Sequence, residues 1–235
     1  MTNNCFLFDV DGTLTNPREK IDEEFSSFFL QWIEKKEVFL ISGSDLPKIQ
    51  EQIPTSILSK CKGIFACMGN ELWEFGSTSK NIYKNKLSLN PSVYQFLNDA
   101  IVRSKWNNYH PPHFEERSGM LNFSIVGRGA MPKIRKSYYN WDTSVKERVN
   151  LAEKFNKRFK NLNIEALVGG QTSLDIQEIG KDKGQIINYL TYDNYIFFGD
   201  KCRRGGNDYN LYIKCNEKWH VHSYEDTFKI LKNNY

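Results

Sequence analysis

The chain has 235 residues, 40% hydrophobic and 26% charged, with a net charge of +4. That is enough for a sizeable core in one large domain or two small ones, and the interleaved acids and bases suit small anionic substrates better than a nucleic-acid duplex. No stretch approaches the roughly 20 apolar residues of a membrane span, an aspartate at position 9 is not expected in a secretory leader, and five cysteines without CxxC spacing point to reduced thiols in a cytoplasmic protein rather than to zinc.

The first element is a strand over 5–10, Cys5 to Val10, which carries Asp9 and Asp11 into the turn at Gly12. Period-two geometry puts both acids on one side of it. Two carboxylates so placed repel each other unless a cation lies between them or one holds a proton, an arrangement suited to chemistry on phosphate. An amphipathic helix follows over 22–36, with Phe25, Phe28, Phe29, Trp32 and Ile33 inward. A buried strand over 38–41 closes on Ser42-Gly43-Ser44-Asp45, where Asp45 is expected to cap a helix over 46–52 that has Pro47 in its first turn. A third strand covers 64–67, and the strand–helix alternation predicts a parallel sheet with right-handed crossovers.

The rhythm changes near residue 77. Hairpin strands over 71–85 lead to a helix over 91–106, a loop at His110-Pro111-Pro112-His113, alternating strands at 121–126 and 174–177, and a helix over 144–160 between them. This predicts a small α+β unit with an antiparallel sheet, residues 77–180, inserted into an α/β core made of 1–76 and 181–235. The first rhythm then returns with a helix over 183–190, a strand over 195–198, a polar glycine loop, and a last helix over 225–232 after Ser223.

Four pieces carry chemistry in this order. After the Asp9/Asp11 strand comes Ser42, whose hydroxyl can hold a phosphoryl oxygen or merely cap a helix, with Ser44 equally placed for the phosphate. Lys183 starts a helix, where its ammonium can steady a negative transition state or be an ordinary surface charge. Finally, Phe197-Phe198-Gly199-Asp200 delivers an acid, and the glycine-rich loop returns Asn207 and Asp208 to the same tip. Hard oxygen ligands at several strand ends suit Mg²⁺; the plainer reading of Gly-Gly-Asn-Asp is a surface turn.

These motifs resemble the haloacid dehalogenase superfamily, which implies a Rossmann-like core. The inserted unit sharpens the resemblance. Arg117-Ser118-Gly119-Met120-Leu121-Asn122, Gly127-Arg128 and Gly169-Gly170-Gln171-Thr172-Ser173-Leu174-Asp175 resemble the type IIB cap of the eukaryotic phosphomannomutases. The opening Asp9-to-Arg18 segment and the closing Phe197-to-Asp208 segment do so too, so the similarity covers nearly the whole chain.

The resemblance implies Asp9 as nucleophile, Asp11 as acid and base, and Ser42 and Lys183 as the electrostatic cradle. It implies Mg²⁺ held by Asp9, the carbonyl of Asp11, Asp200 and Asp208, and substrate contacts from Arg18, Arg117, Arg128, Arg135, Ser173 and Asp175. Physics supports the cap arginines, which show no acidic run beside them, because a guanidinium grips phosphate with a fork that lysine lacks. A surface salt bridge is the alternative for each, most of all for Arg135 in the basic run 133–136. Ser173 and Asp175 alternate on one strand and can both face a sugar, whereas Thr172 and Gln177 look like ordinary strand residues. The four histidines look like surface residues, and Trp106, Tyr109 and Phe114 like cap packing.

The implied reaction is interconversion of mannose 6-phosphate and mannose 1-phosphate with a hexose bisphosphate as primer, feeding GDP-mannose synthesis, in a cytoplasmic protein that can pair through its cap. Three departures stand out. Ser42 replaces a glycine usual in the family, and Tyr212, Lys214 and Glu217 alter a further cation site near the carboxyl end. The pair Lys183-Gly184 resembles the Cof-like sugar-phosphate phosphatases, which makes hydrolysis of the aspartyl phosphate the alternative.

Overall fold

A computed structural model describes residues 3–76 and 78–235. In chain order it contains β1 (Asn4–Asp9), α1 (Glu23–Trp32), β2 (Glu37–Ile41), α2 (Leu46–Gln52), α3 (Thr55–Leu58), β3 (Gly63–Ala66), β4 (Glu71–Phe75) and β5 (Ser79–Lys84). Then come α4 (Pro91–Arg103), β6 (Phe114–Arg117), β7 (Met120–Phe123), α5 (Pro132–Val145), α6 (Glu147–Arg158), β8 (Ile164–Gly169) and β9 (Ser173–Glu178). The last elements are β10 (Asn194–Gly199), α7 (Tyr209–Tyr212), β11 (Glu217–His220) and α8 (Tyr224–Asn234). Two compact units result: residues up to Asn85 with Gly180–Tyr235, and Lys86–Ile179.

The first unit is built on a seven-stranded sheet in the order β11–β10–β1–β2–β3–β4–β5. Strands β11 to β3 are parallel, and β4 and β5 run antiparallel at one edge. β1 is a near-continuous apolar run because both of its faces are covered, the usual state of a central parallel strand. Phe8 stacks on Phe198 at 4.8 Å and meets Phe29 of α1 edge-on at 5.2 Å. α1 begins where Asp22 accepts a hydrogen bond from the Phe25 amide at 3.0 Å.

The expected boundary at residue 77 lies in the wrong place. β5 pairs along β4 in the larger sheet, Tyr83 Oη donates to the Gly69 carbonyl at 2.8 Å, and the Asn85 amide donates to Asn70 at 2.8 Å. The hairpin therefore belongs to the first unit, and the chain leaves it after Asn85. Asp45 stands at the start of α2 without a side-chain cap bond; its carboxylate lies 3.6 Å from the Lys48 ammonium instead. The helix expected over 183–190 is a 3₁₀ helix, Lys183–Tyr189, begun by Asp182, which accepts from the Gly184 amide at 2.7 Å.

The second unit pairs four antiparallel strands in the order β6–β7–β9–β8. Leu121, Phe123, Ala166, Leu174 and Ile176 pack with Val93, Leu97, Tyr138, Leu151 and Phe155 of the helices. By register, Glu115, Arg117, Asn122, Ser173, Asp175 and Gln177 share the opposite face. The helix expected over 144–160 is α6, and a further helix that was not expected, α5, precedes it; Lys146 takes a left-handed φ of 56° and breaks the two apart. Asp142 fastens the break, accepting from the Arg148 amide and from its Nε, each at 2.8 Å. The strand at 121–126 is shorter than expected, and its residues are buried rather than half-exposed. Among the described residues, no helix is long and apolar enough to cross a membrane.

Candidate active site

From β1 the sheet grows through β2 and β3 on one side and through β10 and β11 on the other. In open sheets of this kind ligands bind where the strand order reverses, here at the carboxyl ends of β1 and β10. Phe8 is in register with Phe198, so Asp9 and Asp200 emerge there from neighbouring strands, and the loop after β10 brings back Asp208. Oxygens of Asp9, Asp200 and Asp208 lie within 4.8 Å of one another.

Two ammonium groups answer these three carboxylates. Lys183 is wholly buried; its Nζ donates to Asp9 Oδ1 and, at 2.7 Å, to Asp208 Oδ1. Lys201 Nζ pairs with Asp200 Oδ2, and its backbone amide donates to Asp208 Oδ2 at 2.9 Å. Burial pushes the Asp9 carboxyl well above the usual carboxylate range; Lys183 opposes the shift, and Asp208 and Asp200 add to it. Burial raises Asp200 as well, against the pull of Lys201. For Lys183 burial works against the charge, yet Asp208 and Asp9 outweigh it and hold the ammonium above its ordinary value. Three acids against two ammoniums leave one carboxyl without a countercharge, and on the same loop as Asp208 the Asn207 Oδ1 is buried without a hydrogen-bond partner. Such a set of hard oxygens fits a divalent cation such as Mg²⁺.

Asp11 is not part of this group, contrary to the expected pair of acids on one strand tip. β1 ends at Asp9, and the amides of residues 13–15 turn back to the Val10 carbonyl, so period two does not extend to Asp11. Its Oδ1 accepts instead from the Arg18 amide at 2.8 Å and from Gln52 Nε2 at 2.9 Å. Gln52 also donates to Thr15 Oγ1 at 3.0 Å, which fixes the amide that holds Asp11. Arg18 is exposed on this loop, in the first unit, apart in the chain from the other expected substrate contacts.

Ser42 follows β2 directly and is buried, and its Oγ accepts from the Ser44 amide at 3.0 Å. That bond shapes the turn and leaves the hydroxyl proton for another acceptor. Gly12 has φ of +85°, and a Cβ there would stand 2.6 Å from Asp200 Oδ2. A Gly12→Ala variant should therefore lose about 1–2 kcal/mol to backbone strain alone, and displacement of Asp200 should weaken divalent-cation binding. Denaturant unfolding and cation titration check both effects.

In the second unit Arg117 and Arg128 act on Asp175, Ser173 lies on the same strand face, and Arg135 is buried in α5 rather than exposed in a surface basic run. The arginines do have an acidic neighbour, which corrects the expectation of none. Glu115 Oε1 accepts from Arg117 Nε at 2.9 Å, and Glu115 Oε2 accepts from Arg128 Nε at 2.6 Å. Asp175 accepts from Asn122 Nδ2 at 2.6 Å; burial raises its carboxyl, and Arg117, Asn122 and Arg128 pull the other way. Ser173 Oγ donates to the Gly169 carbonyl at 3.3 Å. Trp106 packs edge-on against Tyr138 at 5.3 Å, and Phe114 lies 5.3 Å from Phe123.

Several site residues are absent from the expected set: Gln52, Lys201, Glu115, Asn122 and His220. Glu115 was within reach of sequence reasoning, since two residues from Arg117 on a strand means one face. His220 Nε2 lies 3.0 Å from the Asp200 carbonyl, a contact between strands that no local pattern signals. Lys214 Nζ, expected to disturb a further cation site, donates to the Gly184 carbonyl at 2.9 Å.

Comparison with known proteins agrees with this geometry. Residues 25–235 match the family described as eukaryotic phosphomannomutase. A phosphomannomutase of Nicotiana benthamiana is 34% identical over 233 residues, covering 95% of this chain and 90% of the relative. Phosphomannomutase 1 of Dictyostelium discoideum is 32% identical over 219 residues, covering 89% of this chain and 86% of the relative. Among solved structures, a haloacid dehalogenase-like hydrolase from Bacteroides thetaiotaomicron superposes with a TM-score of 0.64 at 13% identity, each chain covered in full at 100%, which shows the shared fold. The chain thus belongs to the eukaryotic phosphomannomutase family, on the haloacid dehalogenase fold.

Proposed function

We propose that the protein is a phosphomannomutase that interconverts mannose 6-phosphate and mannose 1-phosphate through an aspartyl phosphate on Asp9. The observation that carries this reading is the buried group of Asp9, Lys183, Asp200 and Asp208 in a member of that family. Lys183 engages Asp9 Oδ1, while Oδ2 meets the Thr13 hydroxyl at 3.4 Å, so Oδ2 is the oxygen set to attack phosphorus. As the O–P bond of the donor breaks, Asp11 gives a proton to the departing sugar oxygen, and it later takes one from the acceptor hydroxyl. Asp9, Asp200, Asp208 and the carbonyl of Asp11 would hold Mg²⁺, which when bound would supply positive charge to the phosphoryl oxygens. Ser42 and Lys183 complete the cradle, and fixed donors of this kind need no rearrangement during the transfer.

In this reading Arg117, Arg128 and Arg135 hold the phosphate that is not reacting, Arg18 is a further substrate contact, and Ser173 and Asp175 face the sugar. A hexose bisphosphate then forms, turns round and returns its other phosphate to Asp9. Pairing of two chains through the second unit and a cytoplasmic location belong to the same reading. The feature that favoured a phosphatase, the Lys183-Gly184 pair, has a packing cause. A Cβ on Gly184 would lie 2.9 Å from the Asn210 carbonyl oxygen, so glycine there is a requirement of the turn. Isomerisation of mannose 1-phosphate should require a catalytic amount of hexose bisphosphate; turnover that ignores the primer while releasing phosphate would favour hydrolysis.

A further inference from the structure

We infer that Glu115 is a positioning residue for the anion-gripping arginines of the second unit, holding Arg117 and Arg128 in register for one phosphate. The inference rests on the reading above that these arginines take the non-reacting phosphate.

Arg117 lies two residues beyond Glu115 on β6 and shares its face, whereas Arg128 comes from the loop after β7. The Glu115 carboxylate bridges the two segments. Oε1 engages Arg117 through Nε at 2.9 Å and Nη2 at 2.8 Å, and Oε2 engages Arg128 through Nε at 2.6 Å. The arginine side chains are only 8% and 11% exposed, so the bonds form where solvent screens little. Two guanidiniums this close repel each other, and a carboxylate between them offsets that cost. Because Arg128 is held by its Nε edge, its terminal nitrogens remain for a second acceptor. A guanidinium already oriented loses less rotamer freedom when phosphate arrives, which is how preorganisation raises affinity. The opposite arrangement is a carboxylate that fills the phosphate seat and must be displaced. It predicts the opposite sign, since its removal would tighten binding.

The test is calorimetric titration of mannose 1-phosphate into the metal-free full-length protein and into Glu115→Ala, Glu115→Gln, Arg117→Ala and Arg128→Ala, each shown folded by a thermal melt. Glu115→Ala should raise the dissociation constant about tenfold, and Glu115→Gln, which keeps one acceptor oxygen, should fall between it and the parent. In steady-state isomerisation the two Glu115 variants should raise KM by a larger factor than they lower kcat. Unchanged or tighter binding in both Glu115 variants, with both arginine variants weakened, overturns the role of Glu115 and leaves the arginine reading standing. Unchanged binding in the arginine variants overturns that reading, and this inference with it. If Glu115→Ala does not fold, Glu115→Gln alone decides on the same criteria.

Discussion

Replacing Asp9 with Asn is expected to lower turnover by roughly four to six orders of magnitude, as loss of a nucleophile does elsewhere, while leaving the fold intact. Asn has the same shape, and its Oδ1 can still accept from Lys183. The carboxyl it replaces is held well above its usual range by burial, with Asp208 and Asp200 adding to the shift. Ionising Asp9 therefore costs the folded state, and removing that charge should keep the melting temperature level or raise it. Isomerisation and thermal melts on the same preparation check the two halves of the statement. Turnover near the parent level would remove Asp9 from the chemistry, and a collapsed melt would make its role structural.

Lys183→Met has the second large effect, and it falls on stability as well as activity. The ammonium is fully buried between Asp9 and Asp208. Removing one partner of a buried ionic group leaves uncompensated charge, at a cost of about 3–5 kcal/mol, or roughly 10 °C in melting temperature for a chain of this size. The loss should be partly recovered by Mg²⁺, which would bind the folded state and replace the missing positive charge. It should also depend on pH in a definite direction. With Lys183 gone, the ammonium that opposes the upward shift of Asp9 is lost, so the folded state binds more protons than the unfolded one above the unfolded carboxyl range. Stability of the variant should then fall as pH rises through that window. Melts with and without Mg²⁺ from mildly acidic to neutral pH test this. A melt equal to the parent in metal-free buffer would mean that Lys183 does not neutralise the acids.

The parallel half of the fold was legible because its strands are buried on both faces and so appear as unbroken apolar runs, Phe6-Leu7-Phe8 and Ile196-Phe197-Phe198 above all. α5 was not legible. Its inward residues Ile134, Tyr138 and Trp141 do stand at i, i+4 and i+7, but the basic run 133–136 around the first of them reads as a charged surface, and the packing of Tyr138 on Trp106 shows the core face. The edge hairpin was seen, but its allegiance depends on which sheet has an open edge, and no local signal carries that. Within the site, the residue types of the acid cluster were legible. The direction of the Asp11 carboxylate was not, because it depends on Gln52, 41 residues away in sequence. The same holds for Lys183, which meets Asp9 across 174 residues.

On this mechanism the phosphoryl group on Asp9 passes to a hexose phosphate rather than to water. It is tested most directly by following product and inorganic phosphate together, in one reaction, from mannose 1-phosphate with Mg²⁺ and a trace of hexose bisphosphate. Mannose 6-phosphate is expected in large excess over free phosphate at every time point. Free phosphate released in step with consumed substrate, with no mannose 6-phosphate formed, would contradict it.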